Sequence, residues 1–313
     1  MNATPHHSPN PMKSRASFLF DIDPENAALI ARTANSPRVM KNAEGMAYDA
    51  ARPERFDVCV STSEPVANAL ARCPPGGSVL VLPGVHALPP GGLRIDRSVH
   101  VFGSANSCFL RVVRGDGAAA VTVTASDVSL VGVGVVTRGD RGVCVERGRS
   151  VLLQGCCVRA VGLPSQCAGV TAELGGQALL IGCDVRGFRV AVSARDGSGL
   201  HLHDCSLGGG AAVAEGARGV LFACEVDGSI AVSRRAVAFD MVRCIVRGTV
   251  AFGMRSARDA QQSALLAAIG ECASREEACV PTLLHNRVIG SVSHPKPGWM
   301  LDVTNVVVPD DGR

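Results

Sequence analysis

The sequence predicts an all-β chain wound as a right-handed parallel β-helix, with an N-terminal capping helix and one helical insertion. Three observations predict it: a unit near 20 residues that repeats, apolar and polar residues that alternate within each unit, and a composition poor in rings. The 313 residues hold 35 Gly and 17 Pro and are 47% apolar, yet include only nine Phe, one Tyr and one Trp. A chain this long and apolar buries a core, which excludes wholesale disorder. That core must be built from Val, Leu, Ala and Cys.

Residues 1–55 read as a tail with one short helix. Asp23-Pro24-Glu25 opens that helix, with Asp as N-cap and Pro in the first turn, and it runs to about Thr33. Ser63-Glu64-Pro65 repeats the signal and opens an amphipathic stretch to Arg72, the capping helix over 64–72. Pro74-Pro75-Gly76-Gly77 stops it, and Val79-Leu80-Val81-Leu82 forms a first strand before Pro83-Gly84.

From Val121 the repeat sets the architecture. With Cys156 or Cys183 as position zero, residues 151–158 align with residues 178–185, and the frame fits again around Cys205, Cys224 and Cys244. Val133 fills the slot one unit earlier and Asn286 one unit later, so the successive spacings are 23, 27, 22, 19, 20 and 42 residues. Such units are too short for helical-pair repeats or propeller blades, and the leucine-rich signature is missing. One coil of a parallel β-helix per unit remains.

Strand alternation sorts the faces. Position −3 gives an inward ladder of Leu130, Leu153, Leu180, Leu202, Leu221, Met241 and Leu283, and position +2 adds Val135, Val158, Val185, Leu207, Val226, Val246 and Val288. Position zero stacks the cysteines in the same core as small hydrophobes. Thirteen Cys with no C-x-x-C pair argue for buried thiols over disulfides or a zinc ribbon. The β-helix thus spans 56–308, the insertion 253–280 carries Leu265, Leu266 and Ile269 at helical spacing, and 309–313 is a tail.

Several function classes fall away. A net charge of +3 with few rings gives no stacking platform, so no nucleic acid partner is expected. No apolar run reaches the roughly 18 residues of a membrane span, so no membrane partner is expected either. Arg outnumbers Lys by 28 to three; codon usage in a GC-rich genome explains this, and avoidance of lysine modification would also fit.

A carbohydrate enzyme would need converging carboxylates. Asp184 and Glu225 lie two coils apart, with Asp204 and Arg186 nearby and Ser206 between, which is no dense cluster. His201 and His203 face outward together, but Cys205 points inward and a third ligand is absent; no metal, cofactor or catalytic residue is expected. The informative anomaly is an apolar stripe at outward positions −4 and −2: Val131, Leu152, Leu179, Ile181, Val220, Phe222 and Val242. Such a stripe is covered either by the chain itself or by a protein partner.

The coil lengths, the long insertion between Cys244 and His285-Asn286-Arg287-Val288, and the closing Met300-Leu301-Asp302-Val303-Thr304 resemble a viral family. It is the large early-region-1B protein of adenoviruses, with the related hexon-interlacing capsid protein of atadenoviruses, and the resemblance runs from Phe56 to Asp302. It implies no enzyme but an interaction scaffold or adaptor that counteracts host regulators in the host nucleus and cytoplasm. The capsid relative implies instead a homotrimer on the virion. The chain departs from the early-region pattern in its short N-terminal part, which has no ligase-recruiting box, and in a tail lacking the acidic phosphorylation segment.

Overall fold

The computed structural model describes residues 55–103, 107–112, 118–138, 141–161, 165–233, 235–253, 281–293 and 305–309. The expected helix near Asp23 and the insertion beyond Gly253 lie outside these residues. The chain winds as a parallel β-solenoid of about 9 turns, and every strand pairing among the described residues is parallel, each to the strand one coil away. Each full coil contributes three strands. The first row forms one sheet of ten strands among the described residues, from Val58–Val60 to Thr282–Leu284, and the second and third rows form the other sheet. The long strands Asp184–Ala194 and Ser206–Val213 run through both of those rows.

The inward columns are as the alternation requires. Leu130, Leu153, Leu180 and Leu221 are buried, Val135 through Val288 are buried, and Cys156, Cys183, Cys205, Cys224 and Cys244 lie among them in one continuous core. Register confirms the columns: Leu153 pairs with Leu130 and Leu180, and Val158 with Val135 and Val185. The solenoid begins well before Val121, at Val58, because Val58 pairs with Val79, Val79 with Val101 and Val101 with Leu130. These strands precede the Cys-centred frame, and so the repeat does not display them. The capping helix is Val66–Arg72, with Pro65 rather than Ser63 at its N-cap; Val66, Ala69 and Leu70 close the core's N-terminal end.

The corner between the first and second rows depends on position zero. The residue before it is left-handed in coil after coil: Gly132, Gly155, Gly182, Asp204, Ala223, Arg243 and His285 have φ between 52° and 61°. The corner amide goes to the next coil, as when Asp204 N–H donates to the Phe222 carbonyl at 3.0 Å. The position-zero amide is met by a side chain instead. Cys224 N–H donates to Cys244 Sγ at 3.4 Å, and the Cys244 thiol donates to the Leu221 carbonyl at 3.5 Å. Asn286 repeats this one coil on, accepting from Cys244 N–H at 2.8 Å and donating to the Met241 carbonyl at 2.7 Å. Asn305 continues it, accepting from Asn286 N–H at 2.9 Å and donating to the Leu283 carbonyl at 2.7 Å.

Cys244→Val should therefore destabilise by about 1–3 kcal/mol in urea unfolding, because it orphans the buried Cys224 amide. Cys244→Asn, which keeps an acceptor and a donor, should retain most of the stability. Equal losses for both would show that volume alone governs the position.

Candidate functional site

Three outer faces follow from the three rows. On the first row, the expected apolar stripe divides. Val131, Leu152 and Leu179 are buried, while Ile181, Val220, Phe222 and Val242 are half-buried. Val131 packs with Leu80 and Phe102 in a small outer cluster against Phe56, Cys59 and Leu82, so the segment before the capping helix covers that end. The Phe56 and Phe102 rings lie 5.4 Å apart at 58°. Leu152 and Leu179 form a second outer cluster with Ile181.

Toward the C-terminal coils the first row turns polar. His201 and His203 point outward and are half-buried, and no group of three metal-ligating side chains occurs among the described residues. His203 Nδ1 lies 2.8 Å from Asp204 Oδ2. Its ring stacks on Phe222, with centroids 4.9 Å apart and 23° between planes, and the Arg243 guanidinium lies 5.9 Å from the Phe222 centroid. Cys205 points inward, as its column requires.

The second row carries a charged ladder. Its outward column at position +1 reads Cys157, Asp184, Ser206, Glu225, Ile245 and Arg287 in paired register. The next outward column, +3, reads Arg159, Arg186 and Gly208, then Asp227, Arg247 and Ile289. The two columns interlock: Arg159 Nη2 donates to Asp184 Oδ2 at 3.3 Å, and Arg186 Nε to the other oxygen, Oδ1. Arg186 also reaches Ser206 Oγ at 3.4 Å, and Arg247 pairs with Glu225. The three arginine side chains stay 54%, 59% and 47% exposed. Sequence reasoning singled out Asp184, Glu225 and Arg186 but missed Arg159 and Arg247, although the same frame places all the arginines at position +3.

Asp184 and Glu225 are two coils, about 10 Å, apart along the backbone. That is near the roughly 6.5–9.5 Å of an inverting glycosidase pair. Here Arg159 and Arg186 both bond Asp184 and Arg247 pairs with Glu225, so each carboxylate is already engaged by guanidinium groups. Such a ladder can hold anions through its arginines and hydroxyls through its carboxylates.

The third row presents small side chains. Cys144, Thr171, Ser193, Ala212 and Ala231 point away from the core yet are buried. At its edge Glu173, 11% exposed, accepts from Arg141 at 2.8 Å and Arg195 at 2.6 Å through the same oxygen, tying three coils together. The cysteines of the described residues form no disulfide.

The chain matches no protein-family model and no curated protein. Two solved structures share a likeness of fold. One is a pectin methylesterase in complex with a hexasaccharide, at 13% identity and a TM-score of 0.45, covering 61% of this chain and 79% of that one. The other is the pectin methylesterase PemA from Erwinia chrysanthemi, at 12% identity, the same TM-score and the same coverage. These findings correct the expectation of a viral adaptor or trimeric capsid protein. Both structures are pectin methylesterases, and the apolar stripe expected to be the protein interface is covered at Val131 by the segment before the capping helix.

Burial pushes the Cys144 thiol up from 9.0 to about 12, with the Glu173 charge adding to it. A thiol whose folded value is raised contributes stability that is fully present below pH 9 and is lost as pH rises toward 12. Urea midpoints should thus fall between pH 9 and 11, and Cys144→Ala should reduce that fall. An identical alkaline slope in the variant would place its origin elsewhere.

Proposed function

We propose that the chain binds an extended acidic polysaccharide along the outer face of its second strand row. The observation that carries this reading is the ladder Arg159, Asp184, Arg186, Ser206, Glu225 and Arg247, which sets guanidinium, carboxylate and hydroxyl groups side by side on one outer face over successive coils about 4.8 Å apart. Exposed ion pairs add little to stability, typically about 0–1 kcal/mol each. Their regular arrangement therefore calls for another use.

The pairs fix long guanidinium side chains in place, which lowers the entropy lost when a ligand docks. The outward N–H groups then meet carboxylates or sulfates with charge-assisted hydrogen bonds. Asp184, Ser206 and Glu225 accept from sugar hydroxyls. Gly208 and Ile245 leave flat or apolar patches between the charges, which suit the face of a sugar ring. A nucleic acid would fit worse, because its dense phosphates would meet Asp184, Glu225 and Asp227.

Calorimetric titration with oligogalacturonate is the test. Micromolar to millimolar binding is expected, weakening as salt rises, with Arg159→Ala plus Arg186→Ala lowering affinity at least tenfold. Neutral galacto-oligosaccharides should bind far less. No heat with any acidic oligosaccharide would overturn the reading, and release of new reducing ends that stops in Asp184→Asn would replace it with a hydrolase.

A further inference from the structure

The charged ladder is the C-terminal part of a longer outward column on the second row. Toward the N-terminus that column runs back from Asp184 through Cys157, Gly134 and Phe109 to Val85, each paired with the next. The column beside it runs back from Arg186 through Arg159 and Val136 to Arg111. The face therefore changes along the axis, from carboxylates and guanidiniums to apolar side chains with Arg111 at their margin. Val85 is 51% exposed, and Phe109, Arg111 and Val136 are half-buried.

Phe109 is held on this face by an empty position. Gly134 belongs to the strand Gly134–Thr137 and its backbone is not left-handed, so the chain conformation does not call for glycine there. A strand glycine often marks a site that another group approaches closely. Here that group is the Phe109 ring. A Cβ on Gly134 would lie 2.5 Å from Cδ1 and 2.9 Å from Cε1, and also 2.9 Å from the Cys108 carbonyl oxygen. The ring thus leans one coil along the axis, over Gly134 and toward the coil of Cys157 and Arg159. The core beneath is filled from the same two strands by Leu110 and Val135, whose side chains point the other way.

We infer that Phe109 is the platform for a sugar ring at the N-terminal end of the same acidic saccharide. Arg111 and Arg159, one coil before and one coil after Gly134, meet the carboxylates on either side of that ring. The C–H groups on one face of a pyranose are weakly positive and suit the negative face of an aromatic ring. The inference rests on the proposed polysaccharide binding and adds to it a residue that selects sugar rings over other polyanions.

Substitutions that keep apolar volume separate a platform from a packing residue. Phe109→Leu should lower the affinity for oligogalacturonate about two- to tenfold, the scale of a single ring contact, whereas Phe109→Trp should match or exceed the wild-type chain. The loss in Phe109→Leu should persist as salt rises, while the loss in Arg159→Ala plus Arg186→Ala shrinks. A tryptophan variant that binds no better than the leucine variant would overturn the platform, even where the leucine variant is unstable. If both bind like wild type while the double arginine variant does not, the platform is overturned and the ladder reading stands. If the wild-type chain binds no acidic oligosaccharide, both fall. Binding of single-stranded RNA in its place, lost in Phe109→Leu, would also overturn the saccharide assignment.

Discussion

The fold depends on how each coil turns from its first strand to its second. A left-handed corner aims one amide at the next coil's carbonyl, but it leaves the following amide inside the core with no strand to meet. A side chain from the next coil must accept it and must also donate to a carbonyl three residues earlier. Asn286 and Asn305 do both with an amide group, and Cys244 does both with a thiol. Once this is satisfied, coil follows coil in one register, and every sequence column becomes a column in space. The outer ladder, the corner stack and the apolar clusters are consequences of that regularity.

Thiols suit the role for a reason of size and charge. Position zero sits beside the Leu and Val columns, where a carboxylate would be far too costly to bury and a β-branched residue would offer no acceptor. Burial holds Cys183 in its neutral form by pushing its thiol up, so the group remains a weak donor and acceptor rather than a nucleophile. The position-zero cysteines are therefore scaffold, buried together in one continuous core.

Much of this was legible in the residues. The inward columns could be assigned because burial on one face imposes a strict period of two, and a slip of one residue would have exposed Leu180 and buried Arg186. Less could be read where the period carries no sign of cover. Val131, Leu152 and Ile181 all look alike as outward apolar residues, but only the fold brings Phe56 and Cys59 over the first of them. The first coils lay within the expected span of 56–308, but the Cys-centred frame did not reach them because Pro83-Gly84 replaces its corner, even though Val79 and Val101 continue the Leu130 column. The ion pairs of the ladder were hidden for another reason: Arg159 and Asp184 are 25 residues apart and meet only through coil stacking.

The distribution of these features along the axis has its own logic. The N-terminal coils pack apolar residues on the outer first row and use glycine at this corner, while Asp127, Arg147 and Leu174 are left-handed at the turns that lead into their first-row strands. The C-terminal coils place His203, Asp204 and Arg243 beside Phe222 and Val242 and have left-handed backbone at non-glycine residues of the first-row corner. A solenoid tolerates this because its stability is nearly a sum over neighbouring coils. Strain at four corners is offset by the shared core beneath them, and the cost stays local. The same property lets a β-helix keep one face as scaffold and shape another for binding without disturbing the register that joins its coils.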